Sequence, residues 1–146
     1  MRYFEDFVPD ETIQLGQIRV SEAEIVEFAR RYDPQYFHVD AERAAASIYG
    51  GLIASGWHTA ALCMRLLVDG VFAESAAMGS PGLDELRWLG PVRPDDVLVG
   101  RMTVLEARPS RSKPDRGIVR FRAELDNQRG ETVLRFVALG MFGRRP

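Results

Sequence analysis

A long apolar segment in the middle of the chain constrains its fold more than any other feature. From Ser55 to Val68, nearly the whole circumference of a helix would be apolar, and Arg65 is the only Lys, Arg, Asp or Glu in the segment. Such a helix must be covered by other elements of the protein. Because the segment is shorter than the roughly 20 apolar residues that cross a bilayer, it predicts a core helix and not a membrane span.

The C-terminal half of the chain contains strands that can cover this helix. Four strand-like runs follow a Gly- and Pro-rich join, near residues 83–89, 97–107, 117–126 and 132–142. The third run alternates between apolar and charged residues, which is typical of a strand with one buried face and one face in water. The polar turn from Asn127 to Gly130 predicts an antiparallel hairpin with the fourth run. The fourth run alternates less, which indicates a strand covered on both faces or one near a subunit contact.

The N-terminal part of the chain predicts a strand and two helices. Residues 14–20 alternate loosely, as a short strand does, and Ser21 followed by acidic residues is the pattern of a helix cap. This helix should end at about Tyr32, because Pro34 disfavours helical geometry at the residue before it. The remaining segments are a loop over residues 33–40 and a short alanine-rich helix over residues 41–47.

Taken in order, these elements predict an α+β protein. A curved antiparallel sheet would wrap around the central apolar helix, since no second long helix is present to cover it. The whole chain, residues 1–146, should form a single domain, because 146 residues are too few for two independent hydrophobic cores. This layout resembles the hotdog fold.

Charge and cysteine content exclude several classes of function. The net charge is -2 and the basic residues are scattered, whereas a nucleic-acid-binding protein shows a clustered excess of Lys and Arg. The only cysteine, Cys63, has no second thiol for a disulfide or a metal site. Residues 1–10 lack the basic start and apolar core of a signal peptide. We therefore expect a cytoplasmic protein with no metal, nucleic acid or membrane as a partner.

The loop after the first helix carries a carboxylate and an imidazole that could work as an acid/base pair. Asp33 and His38 flank a loop that contains Pro34, so they need not obey helical spacing and can converge on one small volume. Histidine exchanges protons near neutrality, and a neighbouring Asp can fix its orientation or activate a water directly. Each residue also has a plainer interpretation, because Asp before Pro often opens a turn and a lone histidine is often a hydrogen-bonded buried one.

A glycine-containing stretch precedes the apolar helix and could complete the site. Gly51, Ser55 and Gly56 lie where glycine permits close approach to the backbone and where the helix dipole presents its positive end. The Gly56 N–H is the candidate donor for a negatively charged oxygen, with Ser55 and Gly51 as candidate substrate-binding residues. Alternatively, Ser55 and Gly56 are only a helix cap and a close packing point.

Three further residues are weaker candidates for contact with a substrate. His58, with the adjacent Thr59, follows the helix start and could line a substrate channel, although a hydrogen-bonded core histidine is the plainer interpretation of His58. Tyr36 could bind substrate, although its aromatic cluster is more typical of packing. Cys63, on an apolar helix, should be an inert small hydrophobe.

The combination of these motifs resembles the MaoC-like dehydratases, the family that includes the R-specific enoyl-CoA hydratases, over nearly the whole chain. The family pattern is Asp, a short stretch often containing Asn-Pro, then His, and later a His-Gly pair that opens the central helix. The corresponding stretch runs here from Asp33 to His38 with the spacing retained, and Ser55 with Gly56 stands at the His-Gly position. Further on, Leu86-Arg87-Trp88 and residues 91–96 resemble the family's strand and its following turn.

The resemblance implies an acyl-CoA hydratase or dehydratase, a lyase of fatty acid metabolism. Asp33 and His38 would activate water and transfer protons, and the Gly56 N–H would bind the thioester oxygen on which negative charge develops. No cofactor is implied, because coenzyme A enters as part of the acyl-CoA substrate. Gln35 replaces the usual Asn, Tyr36 the usual Pro, and Ser55 the usual helix-opening His. These departures leave a branched or otherwise unusual acyl group open.

Two other functions fit the same fold. A hotdog acyl-CoA thioesterase would use a carboxylate on or beside the central helix, but that region offers only Asp69 and Glu74, near its far end. A non-catalytic acyl-thioester-binding subunit would keep the fold and lack turnover.

We also expect a homodimer or a higher homo-oligomer. A single domain of this kind leaves one edge of its sheet and one face of its helix layer open, and the resemblance implies an acyl tunnel at the dimer seam. Arg108, Arg111 and Lys113 are candidates for binding the anionic nucleotide of CoA at the tunnel mouth, with a solvated loop as an equal alternative.

Overall fold

The computed structural model describes the whole chain, Met1–Pro146. The elements are, in chain order, β1 (Thr12–Arg19), α1 (Glu22–Tyr32), α2 (Tyr36–Val39), α3 (Ala41–Ala45), α4 (Gly56–Gly70), β2 (Gly82–Trp88), β3 (Val97–Pro109), β4 (Arg116–Asp126) and β5 (Thr132–Gly143). Short 3₁₀ turns lie before β1 and after α4, at Phe4–Asp6 and Phe72–Glu74. The predicted strands and helices occur in the predicted order, with α2 as an additional helical turn.

The strands form one five-stranded antiparallel sheet in the order β1-β3-β4-β5-β2. The predicted hairpin of β4 and β5 is confirmed, and Gly130 in its turn has a φ of 76°, a conformation that favours glycine. One row of residues paired across neighbouring strands runs from Gly100 on β3 through Leu125 on β4 and Leu134 on β5 to Trp88 on β2. This row lies near the start of α4, because the Trp88 indole is hydrogen-bonded to the first residue of that helix.

α4 packs its inner face against the sheet and leaves an outer stripe uncovered. Its buried apolar residues are Leu62, Cys63, Leu66 and Leu67. On the outer side, Trp57, Met64 and Val68 are 60%, 45% and 38% exposed. Within a single chain the sheet therefore reaches only one side of α4, and one face of the helix layer stays open. Neither α4 nor any other helix combines the length and apolar character needed to cross a membrane.

α1 begins and ends where the sequence predicts, and Asp33 follows directly at its C-terminal end. Ser21 Oγ accepts a hydrogen bond from the Glu24 N–H at 3.1 Å, which confirms the predicted cap. The loop predicted over residues 33–40 is corrected, because it contains the helical turn α2. Pro34 ends α1, but its restriction applies to the residue before it and does not prevent a new turn that begins two residues later.

The outer face of β4 is less solvated than its charged sequence predicts. Glu124 is only 4% exposed, and it accepts hydrogen bonds from Arg122 and Arg135, each at 3.0 Å. Arg101 Nη2 lies 3.3 Å from Glu124 Oε2. Burial raises the pKa of this carboxyl, but the hydrogen bond from Arg135 and the positive charge of Arg101 more than offset it and hold the pKa below its ordinary value. The prediction of a wet outer face is corrected here, because arginines of β4 itself and of both adjacent strands cover the carboxylate.

Candidate active site

A tight turn after α1 brings Asp33 and His38 together. The Asp33 N–H donates to Ala29 O at 2.8 Å, so this residue closes the last turn of α1. Pro34 then takes the chain out of the helix, and α2 begins at Tyr36. His38 on α2 lies with its Nε2 atom 3.3 Å from Asp33 Oδ2. The two side chains therefore meet in space, while their catalytic role stays a prediction.

The imidazole of His38 is buried and held in one orientation. Its Nδ1 atom lies 2.7 Å from the carbonyl oxygen of Ile53. Because a carbonyl can only accept a hydrogen bond, Nδ1 carries the hydrogen of this contact. The Phe37 ring packs edge-on against the imidazole, with 4.5 Å between ring centroids. In neutral His38 the free lone pair is therefore on Nε2, where the imidazole can accept a proton beside the Asp33 carboxylate.

The Asp33 carboxylate receives hydrogen bonds on both oxygens. Ser55 Oγ donates to Oδ2 at 2.7 Å, and Gln35 Nε2 donates to Oδ1 at 2.8 Å. Burial raises the pKa of this carboxyl, but the hydrogen bonds from Ser55 and Gln35 and the proximity of His38 outweigh burial and lower the pKa below its ordinary value. Asp33 is therefore ionised at neutral pH. The sequence predicted neither contact, since Gln35 was noted only as a departure from the family pattern.

The first residue of α4, Gly56, presents a free amide. Its N–H donates to no acceptor in the chain, as expected for the first turn of a helix. Its carbonyl oxygen accepts a hydrogen bond of 2.7 Å from Trp88 Nε1. A Cβ at this position would lie 2.5 Å from Trp88 Cε2, so only glycine fits beneath the indole. Ser55 does not cap the helix with its side chain, which corrects the cap interpretation.

A cavity of about 470 Å³ lies over these groups. Its wall includes Asp33, His38 and Gly56, together with Gln35, Phe37, Tyr49, Ile53, Ala54, Trp57, Thr59, Trp88, Leu89, Gly90, Pro91 and Val92. A carboxylate, an imidazole and the residue with a free amide therefore share one mostly apolar space, which suits an apolar substrate with one polar reacting centre.

Four residues predicted to bind substrate lie outside the wall of this cavity. Ser55 is fully buried behind it, with its hydroxyl on Asp33. Gly51 packs near Arg93, whose Nη1 would lie 3.5 Å from a Cβ there. The Tyr36 ring packs against the Arg43 guanidinium, with 4.6 Å between Arg43 Cζ and the ring centroid. His58 on α4 packs against α1. Within one chain these four residues therefore lie away from this cavity, and their role in substrate binding stays a prediction.

His58 is a buried histidine of the helix interface. Its ring stacks on Phe28 of α1 with 4.8 Å between centroids and an interplanar angle of 9°. Its Nδ1 atom has no hydrogen-bond partner, so the expectation of a hydrogen-bonded core histidine fails for that atom. Burial lowers the pKa of His58, and the negative charge of Glu24 only partly opposes this effect. His58 is therefore neutral at physiological pH.

Several residues of the cavity wall were not predicted as site residues, because they lie far from Asp33 in the sequence. Trp88 and Leu89 were recognised only as part of a strand, and Pro91 and Val92 only as part of a turn. Tyr49 carried no signal beyond its position before the α4 region, whereas Thr59, which was a candidate for lining a substrate channel, does lie in the cavity wall.

The basic loop is remote from this cavity within one chain. Arg108 pairs across the sheet with Ile118, and Arg111 and Lys113 follow in the turn between β3 and β4. Strand residues rise by about 3.3 Å each, so the eight residues from Gly100 to Arg108 span about 26 Å. Since Gly100 lies in the row that ends at Trp88, these basic residues are at the opposite end of the sheet. The prediction that they bind a nucleotide at the cavity mouth is not met within the single chain.

Comparison with known proteins gives a consistent family. The model of the MaoC like domain matches residues 6–125. An uncharacterized protein of Bacillus subtilis, YdeM, is 31% identical over 109 residues, which are 75% of this chain and 77% of that protein. The crystal structure of a MaoC-like dehydratase from Rhodospirillum rubrum is 44% identical, with a TM-score of 0.92, and covers 100% of this chain and 99% of its own.

A more distant structure shows the same fold. R-hydratase PhaJ1 from Pseudomonas aeruginosa, in unliganded form, is 24% identical with a TM-score of 0.76, covering 98% of this chain and 86% of its own. The hotdog fold predicted from the wrapped helix and its strands is therefore confirmed. Together with the family match over most of the sequence, these findings lead to one conclusion: the chain belongs to the MaoC-like dehydratase family.

Proposed function

We propose that this protein is a cytoplasmic enzyme that adds water to, or removes water from, the 2,3 position of an acyl-CoA thioester. The observation that carries the proposal is the Asp33–His38 pair, 3.3 Å apart, in the same cavity wall as Gly56 and its free amide. No separate cofactor is required, because coenzyme A is part of the substrate. Membership of a dehydratase family supports the reaction class.

In the direction of hydration, a water bound between Asp33 and His38 loses a proton to this pair as its oxygen bonds to C3 of the unsaturated thioester. The π electrons of the double bond move toward C2 and the thioester oxygen. The pair then returns the proton to C2, so that C3 gains OH and C2 gains H. Dehydration follows the same steps in reverse. His38 Nε2 can receive and return this proton because its Nδ1–H stays bound to Ile53.

The amide of Gly56 would stabilise the negative charge that develops on the thioester oxygen. It is unpaired in the chain and lies at the positive end of the α4 dipole. A donor of this kind contributes about 10²- to 10³-fold in rate, and positioned acid/base groups about 10²- to 10⁴-fold. Neither contribution alone is large compared with typical enzymatic rate enhancements, so the reaction needs both.

The geometry favours this reaction over thioester hydrolysis. A hotdog thioesterase would need a carboxylate on or beside α4. Asp69 instead lies in the last turn of that helix, bonded to Arg65 at 2.7 Å, and Glu74 follows in the next turn of the chain. No carboxylate other than Asp33 is present in the cavity wall.

A panel of enoyl-CoA and 3-hydroxyacyl-CoA thioesters tests the proposal. We expect loss or gain of the conjugated thioester absorbance with the wild-type protein. Asp33→Asn and His38→Ala should each remove this activity while the circular dichroism spectrum stays unchanged. Release of free thiol in place of the absorbance change would indicate a thioesterase. Binding of the thioesters without turnover would indicate a non-catalytic subunit, and activity that survives both substitutions would refute the acid/base assignment.

We further propose that the working form contains two copies of this chain. β2 is an edge strand whose only partner is β5, so its other side has free backbone groups. Leu83 on β2 and Met64 on α4 line one apolar cavity of about 200 Å³, and both are close to half exposed. A twofold axis beside β2 would pair two such edges antiparallel and cover both apolar surfaces.

Light scattering tests the dimer directly. We expect twice the mass of the chain for the wild-type protein and a shift toward monomer for Met64→Glu, which places a charge in the covered surface. Val8→Glu serves as the control, since Val8 is 58% exposed and outside this surface. A monomeric wild-type protein would overturn the proposal.

A further inference from the structure

Ser55 is buried, polar and directly bonded to the candidate acid/base pair. None of its surface is exposed, and it is absent from the cavity wall, so it cannot touch a substrate there. Its hydroxyl does not cap α4 and instead donates to Asp33 Oδ2 at 2.7 Å. This is the same oxygen that faces His38 Nε2. A buried hydroxyl with this single directed bond requires a reason other than helix capping.

The segment that contains Ser55 holds all parts of the site in register. Ile53 O accepts a hydrogen bond from His38 Nδ1, and Ser55 Oγ donates one to Asp33. Gly56, the next residue, has the free amide, so one short stretch of chain contacts both members of the pair and carries the candidate donor for the thioester oxygen. Two backbone hydrogen bonds hold this stretch in place: the Ile53 N–H donates to Phe37 O at 3.1 Å, and the Ala54 N–H donates to Val92 O at 2.8 Å.

We propose that Ser55 is a positioning residue of the hydration reaction, whose hydroxyl fixes Asp33 Oδ2 toward His38 and at a set distance from the Gly56 amide. This inference rests on the proposed function. Ser55 acts through Asp33, because it has no surface from which to contact the substrate.

Ser55 and Gln35 hold the carboxylate in different ways. Gln35 binds Oδ1, the oxygen away from His38, and lies in the cavity wall at the open side of the site. Ser55 binds the inner oxygen from a fully buried position, where water cannot replace a lost donor. Removal of the serine hydroxyl should therefore affect the proton-transfer geometry more than removal of the glutamine amide.

The Ser55→Ala variant gives the main test. We expect kcat/KM to fall by about 10- to 100-fold, the range that loss of a hydrogen bond to a charged group produces. The fall should lie in kcat, with KM nearly unchanged, since no substrate contact is lost. The hydroxyl favours the ionised form of Asp33, so its removal raises the pKa of this carboxyl and moves the acidic limb of the pH–rate profile to higher pH. Ser55→Thr, which keeps the hydroxyl, should restore part of kcat and return the acidic limb.

Ser75→Ala is the matched control. Ser75 is also buried, and its hydroxyl donates to Phe72 O at 3.0 Å, with no ionisable partner. It should lose comparable stability without a change in kcat/KM or in the pH profile. If Ser55→Ala keeps activity within twofold of wild type, or loses it with an unmoved acidic limb, the positioning role is refuted.

A measurement that needs no turnover separates this proposal from the proposed function. Titration of the Asp33 carboxyl by ¹³C NMR should give a higher pKa in Ser55→Ala than in wild type, with no such change in Ser75→Ala. A wild-type protein that is inactive on every thioester, yet shows this change, would remove the hydratase assignment while keeping the Ser55–Asp33 coupling. An unchanged carboxyl titration in Ser55→Ala would overturn the coupling itself, whatever the activity.

Discussion

Replacement of Gly56 by alanine tests the packing that presents the amide of α4. The new methyl group would lie 2.5 Å from Trp88 Cε2, 2.6 Å from Nε1 and 2.9 Å from Cδ2. Such distances are far below van der Waals contact, so either the indole or the helix start must move. Trp88 is 44% exposed and can swing outward, which would break its hydrogen bond to Gly56 O.

The expected loss of stability follows from these contacts. Overpacking in a core costs about 1 to 3 kcal/mol, and exposure of the indole keeps this site near the lower end. The lost hydrogen bond adds about 0.5 to 1.5 kcal/mol, and the higher helix propensity of alanine offsets up to about 1 kcal/mol. The net loss of about 1 to 2 kcal/mol corresponds to a fall in Tm of about 2 to 8 °C for a chain of this size. Displacement of the amide should also lower kcat/KM by about 10²-fold.

Calorimetry and steady-state kinetics on a double-mutant cycle measure this effect. Gly56→Ala should cost much less stability in a Trp88→Ala background, because the clash is then absent. Gly90→Ala is the stability control, since its Cβ would meet Val133 Cγ1 at an ordinary 3.8 Å and should leave Tm nearly unchanged. An equal stability cost of Gly56→Ala in both backgrounds would refute the argument that the indole sets the requirement for glycine.

Three further predictions concern buried ionisable groups. The pKa of Glu124 is lowered in the folded protein, so its contribution to stability is present above its ordinary value of 4.5 and is lost as pH falls through the folded value. Denaturant titrations should show this dependence in wild type and a reduced one in Glu124→Gln. This variant should also be less stable by about 1 to 2 kcal/mol, since its arginine partners are partly exposed and stay solvated. Burial lowers the pKa of His58, so as pH falls the unfolded chain takes up a proton at a higher pH than the folded protein does, and the stability of the fold decreases below pH 6.5. His58→Phe should lose this part of the pH dependence while it keeps a stacking partner for Phe28. A pH dependence unchanged by this substitution would argue against burial of a neutral ring. Burial raises the pKa of Cys63 to about 12, so a thiol reagent should label it at pH 8 only after denaturation, and rapid labelling of the native protein would contradict the packing of α4.

Much of the fold follows from patterns that are local in the sequence. The cap at Ser21, the end of α1 before Pro34 and the alternation along β4 each depend on residues a few positions apart. The Asp33–His38 pair belongs to the same class, because a single tight turn is enough to bring the two side chains together. These features could be predicted because helix capping, proline geometry and strand pleating act over short distances along the chain.

The supporting contacts of the site could not be predicted in this way. Ser55 is 22 residues from its partner Asp33, and Trp88 is 32 residues from Gly56, whose carbonyl it binds. Nothing in either local sequence names the partner. The Trp88 contact also depends on the register of β2 with β5, since a slip of one residue would turn that side chain to the other face of the sheet.

By itself the sequence determined that a long apolar helix needs a sheet around it and that a carboxylate and an imidazole follow α1. Only the tertiary structure decided which face of α4 stays open, which hydroxyl holds Asp33 and which indole lies on Gly56. The physical reason is that apolar burial is non-directional and leaves partners unspecified, whereas the order and register of the strands fix which distant side chains meet.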